Sequence, residues 1–184
     1  MDAGTVTEVR GSRVVLRPLR PDEFEVLAAV RAQASGVIPD DQERLRDRVD
    51  HSGEFHLGEV LLGIESIEDG RLVGEVQVRH PDHAFPPGVW ELGIEVFDPA
   101  DRGRGFGGEA TWLMSGLAFE RLGANRVQAT TDVENAAMRG TLERLGFGFE
   151  GVLRGFWPVL EGTPRDYAMY GITHDDYMTR KSEA

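Results

Sequence analysis

Cysteine is missing from this 184-residue chain, and lysine occurs once, at Lys181. The first absence excludes disulfides and thiolate metal sites, and it leaves the redox compartment open. Long apolar runs are missing too: nowhere do about 18 apolar residues follow one another, so no membrane-spanning helix and no membrane partner is expected. The opening residues Met1–Thr5 carry no basic patch leading into an apolar stretch, so the sequence predicts no signal peptide and a cytoplasmic location. Positive charge is scarce, with 20 Lys and Arg against 32 Asp and Glu for a net charge of −12. That balance argues against a nucleic-acid partner, which requires a basic face. It would draw in a cationic substrate such as an amine, although an acid surplus also simply keeps a protein soluble.

With 40% hydrophobic residues, the composition is that of an ordinary globular protein. Its length suits one domain spanning residues 1–184. Alternation predicts a strand over Ser12–Pro18, and Pro21 opens a helix through Phe24, Leu27 and Ala28. A polar helix is expected over Asp41–Val49. Strands over Glu59–Ser66 and Arg71–Arg79 flank the turn residues Glu68–Asp69–Gly70, and Val89–Phe97 forms a third. The pattern then changes to a helix over Gly105–Leu122, a strand over Arg126–Asp132 and a helix over Glu134–Leu145. Strands over Phe147–Leu153 and Asp166–Ile172 follow. A strand–helix–strand unit implies a parallel pair, so the predicted fold is α/β (α+β): a mixed, mostly antiparallel sheet with a central parallel pair and helices on both faces.

The chemistry concentrates at the strand-to-helix junction Asp98–Ala110. Gly103, Gly105, Gly107 and Gly108 place four glycines within six positions. Backbone N–H groups can therefore converge there on an anion at a helix N-terminus. Arg102 and Arg104 add charge that can reach phosphates. A Walker-type nucleotide loop is excluded, because it needs a Gly-Lys-Ser/Thr and the only lysine is Lys181. Gly103-x-Gly105-x-x-Gly108 does fit the dinucleotide fingerprint literally, with Asp132 placed where a ribose-binding acid would sit. Against it, the polar segment Asp98–Asp101 separates the strand from the glycines. Only about 50 residues then remain for the rest of a dinucleotide domain.

Arg102-x-x-Gly105-x-Gly107 resembles the acyl-CoA signature of the GNAT N-acetyltransferase superfamily. Asn135-Ala-Ala-Met-Arg-Gly-Thr-Leu-Glu-Arg-Leu-Gly-Phe147 is similar to its second block, in wording nearest the ribosomal-protein alanine/serine acetyltransferase branch. The resemblance implies acetyl-CoA as co-substrate, an amine as acceptor and no metal. It further implies a pyrophosphate held by the backbone from Arg102 through Gly103, Arg104, Gly105 and Phe106 to Gly107 and Gly108. The pantetheine arm would lie along Val96 and Phe97, and Asn135 near its thiol end. Asn135 reads equally well as a helix N-cap.

Three positions that carry catalytic groups in relatives hold Thr130, Met138 and Leu142 here. Those vacancies keep a second reading open, a catalytically weak acyl-CoA-binding module. Glu91, eleven residues before Arg102, matches the base of one branch of the family, and Glu95 shares its strand face by period two. The alternative is that both form the wet side of an exposed strand. Tyr170 and Tyr167 on the last strand either supply the missing acid or pack the core. Phe156, Trp157 and Pro158, placed between the last strands, either wall an acceptor pocket or join two copies in a homodimer. His51, His56, His80 and His83 fall in loop-like segments without a partnered carboxylate, so the sequence predicts surface residues and no metal site. The cradle itself is testable. Gly105→Asp places a negative side chain in it, so calorimetry should show weaker coenzyme A binding, and wild-type affinity would refute the assignment.

Overall fold

The computed structural model describes residues 4–33, 42–81, 84–159 and 162–183. β1 (Val9–Arg10) and β2 (Val14–Arg17) lead into a 3-10 turn at Pro21–Glu23 and two helices, α1 (Phe24–Gln33) and α2 (Gln42–Asp50). β3 (Glu59–Ser66), β4 (Leu72–Arg79) and β5 (Val89–Val96) follow, then a 3-10 turn at Pro99–Asp101 and α3 (Phe106–Arg121). The chain closes with β6 (Arg126–Asp132), α4 (Ala136–Arg144), β7 (Gly148–Trp157), β8 (Arg165–Thr173) and α5 (His174–Glu183). All eight strands share one sheet in the order β1-β2-β3-β4-β5-β6-β8-β7. The β5–β6 pair is parallel and the other pairs are antiparallel, the mixed sheet expected from the sequence. Among the described residues, no helix is long and apolar enough to cross a membrane.

Alternation along the strands divides the apolar residues between two faces. Val60, Leu62, Val76, Val78, Trp90, Leu92, Val127 and Ala129 pack with Ala110, Met114 and Leu117 of α3 in the larger core. Leu61, between two of those residues, turns to the other face and joins Phe24, Leu27, Leu45 and Val49 of α1 and α2. The sheet is thus covered on both sides, and α2 reaches it through Leu45 and Val49, its two buried residues.

One expectation needs correction, and two elements, β1 and α5, were not foreseen. Phe156 and Trp157 lie on β7, not between the strands, since β7 runs on to pair Trp157 with Arg165. Irregular register between Phe149 and Gly151 and again between Leu153 and Trp157 breaks the alternation that would have revealed it. β1 has two residues, too few for any periodic signal. α5 was missed because Tyr177 is its one buried residue. Its start is nevertheless marked in sequence: Asp176 accepts hydrogen bonds from the Thr173 hydroxyl at 2.6 Å and its N–H at 3.1 Å.

One side chain joins α3 to the sheet edge. Glu109, in the first turn of α3, accepts four hydrogen bonds: from Ser12 N–H (2.9 Å), Ser12 Oγ (2.6 Å), Arg13 N–H (2.7 Å) and Val14 N–H (2.8 Å). Burial alone would raise its pKa, but the donors from Ser12, Arg13 and Val14 outweigh it and hold the carboxyl below its ordinary 4.5. Because the folded value is depressed, this stability is present above pH 4.5 and is lost as pH falls through the folded value. Glu109→Gln should cost about 2 kcal/mol in urea unfolding at neutral pH, and the gap to wild type should close in acid. A gap that persists at low pH would show that packing, not charge, is responsible.

Candidate active site

β5 and β6 pair in parallel only from Val89↔Arg126 to Leu92↔Ala129. Beyond that point each keeps its outer neighbour, β5 bonding β4 through Gly74↔Val96 and β6 bonding β8 through Asp132↔Tyr167. The two central strands therefore diverge inside an otherwise continuous sheet. The opening forms a cleft of about 490 Å³, within the range of ligand pockets. Leu92–Val96 line one wall and Ala129–Thr131 the other. Asn135, Ala137, Met138, Thr141 and Arg144 come from the α4 side, and Asp101, Arg102, Gly103, Gly105, Gly107 and Gly108 close the far end.

The glycine turn is shaped by backbone demands. Gly103 and Gly105 have φ of +77° and +88°, values costly for any side chain, and Gly105 is the N-cap of α3. Gly107 and Gly108 need no such conformation, and what they contribute is an open wall. A Cβ on Gly107 would touch Val96 at 3.5 Å, and one on Gly108 would touch Thr141 at 3.5 Å. The first N–H groups of α3 have no partner within the helix, and here they open on the cleft end as an anion site.

Not every residue predicted for this site reaches it. Arg102 lines the cleft, but Arg104 turns to Asp101 (2.8 Å) and Glu68 (2.6 Å), with its guanidinium over the Phe106 ring. Phe106 is buried in the larger core, and Phe97 packs against the smaller one. Both belong to the scaffold rather than to the cleft wall. Asn135 lines the cleft and also caps α4, its Oδ1 accepting from Met138 N–H at 3.1 Å, so the two readings of this residue coexist. Arg144, Thr131 and Thr141 are cleft residues that the sequence did not reveal. Arg144 lies at the far end of α4 and donates to Thr141 at 3.0 Å, and only the fold brings the two to the cleft.

The catalytic candidates separate as clearly. Tyr170 is fully buried under α4, where its hydroxyl donates to Glu143 at 2.9 Å and accepts from Arg139 Nε at 3.2 Å. It does not line the cleft, and packing accounts for it. Glu91 and Glu95 do share a face, which is buried at Glu91 and opens at Glu95, whose side chain is 38% exposed. By register they lie beside Arg79 and Glu75 of β4, with Gln77 opposite Gly93, and Arg31 of α1 and Arg48 of α2 reach down to them. Arg79 Nε donates to Glu91 at 2.9 Å, Arg48 Nε to Glu59 at 2.8 Å, and Arg31 holds Glu75. Burial pushes the Glu75 carboxyl up, against the pull of Arg31 and Arg48, and its Oε2 has no hydrogen bond among the described residues. Glu91 is 8% exposed and stands outside the cleft lining. Glu95 lines the cleft, and Arg31 Nε stands 3.9 Å from its carboxylate.

A sheet opened between two parallel strands, with an anion-binding helix start at the end of the opening, suits an extended ligand that carries a phosphate at one end. Residues 13–148 match the family described as "Acetyltransferase (GNAT) domain", and the chain belongs to it. It is 28% identical over 159 residues to the probable N-acetyltransferase YjcK of Bacillus subtilis, covering 84% of this chain and 83% of that one. A T. thermophilus protein described as a putative acetyltransferase superposes with a TM-score of 0.71 at 28% identity, covering 98% and 96% of the two chains. Mycobacterium smegmatis RimJ, in complex with CoA-disulfide, has the same fold, with a TM-score of 0.73 at 22% identity over 98% and 92%. The protein is therefore an N-acetyltransferase of the GNAT family that uses acetyl-CoA and acts on an amine acceptor.

Proposed function

We propose that the enzyme acetylates a cationic primary amine on a small molecule or a protein N-terminus, and that Glu95 takes the proton. One observation carries the second part: among the carboxylates of the described residues on the face beneath α1 and α2, Glu95 is the one that also lines the cleft. Acetyl-CoA supplies the acyl thioester. In this reading its pyrophosphate rests on the amides of Gly103–Gly108 beside Arg102. Its arm follows the free edge of Ile94–Val96, which brings the acyl group toward Gly93, where the strands part.

The acceptor then meets the acyl carbon from the α1–α2 side. An amine arrives protonated and must be neutral to attack, so a base is required. Glu95 accepts that proton, directly or through a water. Nitrogen forms its bond to the acyl carbon, the carbon–sulfur bond breaks, sulfur leaves with the electron pair as a thiolate, and the second proton that nitrogen sheds ends on that sulfur to give the free thiol. Backbone N–H groups at the opening are suited to the oxygen that gains charge. Glu91, the family-matched position, is secured by Arg79 and serves in this scheme to position the strand. The net charge of −12 and the surplus of carboxylates on this face suit a cationic acceptor.

Two conservative variants decide the base. Glu95→Gln should lower kcat by about 100- to 10,000-fold at neutral pH with the KM for acetyl-CoA little changed, whereas Glu91→Gln should cost less than about threefold. The reverse order would move the base to Glu91. Losses below about threefold in both variants would leave neither residue as the base. For a cationic acceptor, kcat/KM should also fall as salt is added, and a rate indifferent to salt would remove the electrostatic part of this reading.

A further inference from the structure

On the side of α2 away from its buried residues, the fold assembles a group that the sequence disperses. Asp47 and His51 stand one helical turn apart at the end of α2, and His56 comes back from the loop before β3. His56 Nε2 lies 2.9 Å from one oxygen of Asp47, and His51 Nδ1 lies 3.2 Å from the other. One ligating atom from each of the three residues lies within 4.8 Å of the others. The expectation that these histidines lack a carboxylate partner is thereby corrected. We propose that Asp47, His51 and His56 form a binding site for a divalent transition-metal ion of the zinc class, separate from the acyl-transfer cleft.

The donor set is what such an ion selects: two neutral imidazoles and a carboxylate, with a fourth position left for water. Two ligands across a tetrahedral zinc stand about 3.3 Å apart, as follows from bonds of about 2.0–2.1 Å. The Asp47–His56 separation of 2.9 Å needs only a small adjustment to reach that spacing, whereas His51 Nδ1, 3.2 Å from the Asp47 carboxylate, must also give up the Asp47 backbone carbonyl 2.9 Å away. The two imidazole rings are stacked, with centroids 3.8 Å apart and planes 7° from parallel. Imidazole lone pairs lie in the ring planes, so the His51 ring turns out of this stack to meet an ion already held by Asp47 and His56. Side-chain exposures of 40%, 37% and 30% for His51, Asp47 and His56 leave a route for the ion and its water.

The scaffold holds two of the ligands in place before any ion arrives. Asp47 lies on α2, and His56 exchanges both backbone hydrogen bonds with Glu59 at 2.9 Å. Glu54, Glu59, Arg44 and Arg48 line the same recess, where Glu59 and Arg48 engage each other. A bound ion would fasten the end of α2 to the start of β3. It would also steady Arg48, which follows Asp47 directly and contacts Glu59 and Gln77 on the face beneath the acceptor side. The role is a structural clamp, with no part in acyl transfer.

The experiment uses the full-length chain without a histidine tag, at a pH well above the imidazole range, with Zn²⁺ as the titrant in calorimetry. Co²⁺ replaces it for visible spectroscopy. One equivalent of Zn²⁺ should bind, Co²⁺ should give the absorption of a tetrahedral site, and the thermal midpoint should rise with bound ion. His56→Ala and Asp47→Ala should each weaken binding at least about tenfold. His174→Ala, at a histidine that also faces an aspartate, should leave it unchanged. Coenzyme A binding by the variants checks that they are folded. The proposal is overturned if the wild type shows no saturable binding at free Zn²⁺ on the order of 100 μM. It is equally overturned if folded His56→Ala and Asp47→Ala proteins bind Zn²⁺ as the wild type does.

Discussion

Everything functional in this protein depends on two parallel strands that stop pairing halfway along. β5 and β6 are hydrogen-bonded up to Leu92 and Ala129, and then each follows its outer neighbour. Leaving backbone groups unpaired in the middle of a sheet is costly unless something else takes up the bonds. The opening is thus a place prepared for a ligand with its own amide groups, such as a pantetheine arm. Glu109 helps set where the opening ends, since it binds the start of α3 to Ser12, Arg13 and Val14 and so anchors the helix whose N-terminus faces the cleft.

The two faces of the sheet divide the chemistry. On one side α3 covers an apolar core and presents its amide ends to an anion. On the other, carboxylates of β3, β4 and β5 meet Arg31 of α1, Arg48 of α2 and Arg79 of β4 in a partly buried, partly compensated array. Charges taken out of water keep their interactions strong and depend on every partner, so such an array fixes α1 and α2 over the sheet. Glu75 is its most constrained member, with one oxygen lacking a hydrogen bond among the described residues and a pKa raised by burial. Glu95 sits where this array meets the cleft, and position rather than residue type sets it apart from Glu91.

Much of the fold was legible because its signals are local. The ranges of β3 and β6 follow directly from alternation and turn residues, and the glycine turn announced the start of α3. Where the signal was weak or interrupted, the sequence failed. α5 offers one buried residue, and β7 carries two register irregularities. Within the site, Arg102, the four glycines and Asn135 were readable from the motif. Arg144 and Thr131 were not, since their place in the cleft depends on how α4 and β6 are set against the glycine turn.

By itself, then, the sequence determined the class of chemistry. Glycines that tolerate positive φ at a helix start, with Arg102 beside them and no lysine to form a nucleotide loop, confine the ligand to a backbone-cradled anion. That information is contained in consecutive residues. Only the tertiary structure decided which carboxylate faces the cleft, that Tyr170 is spent on Arg139 and Glu143, and that His51 and His56 share Asp47. Those outcomes depend on pairings between residues distant along the chain. Period-two alternation gives Glu91 and Glu95 the same face, and only strand register and the neighbouring arginines distinguish them.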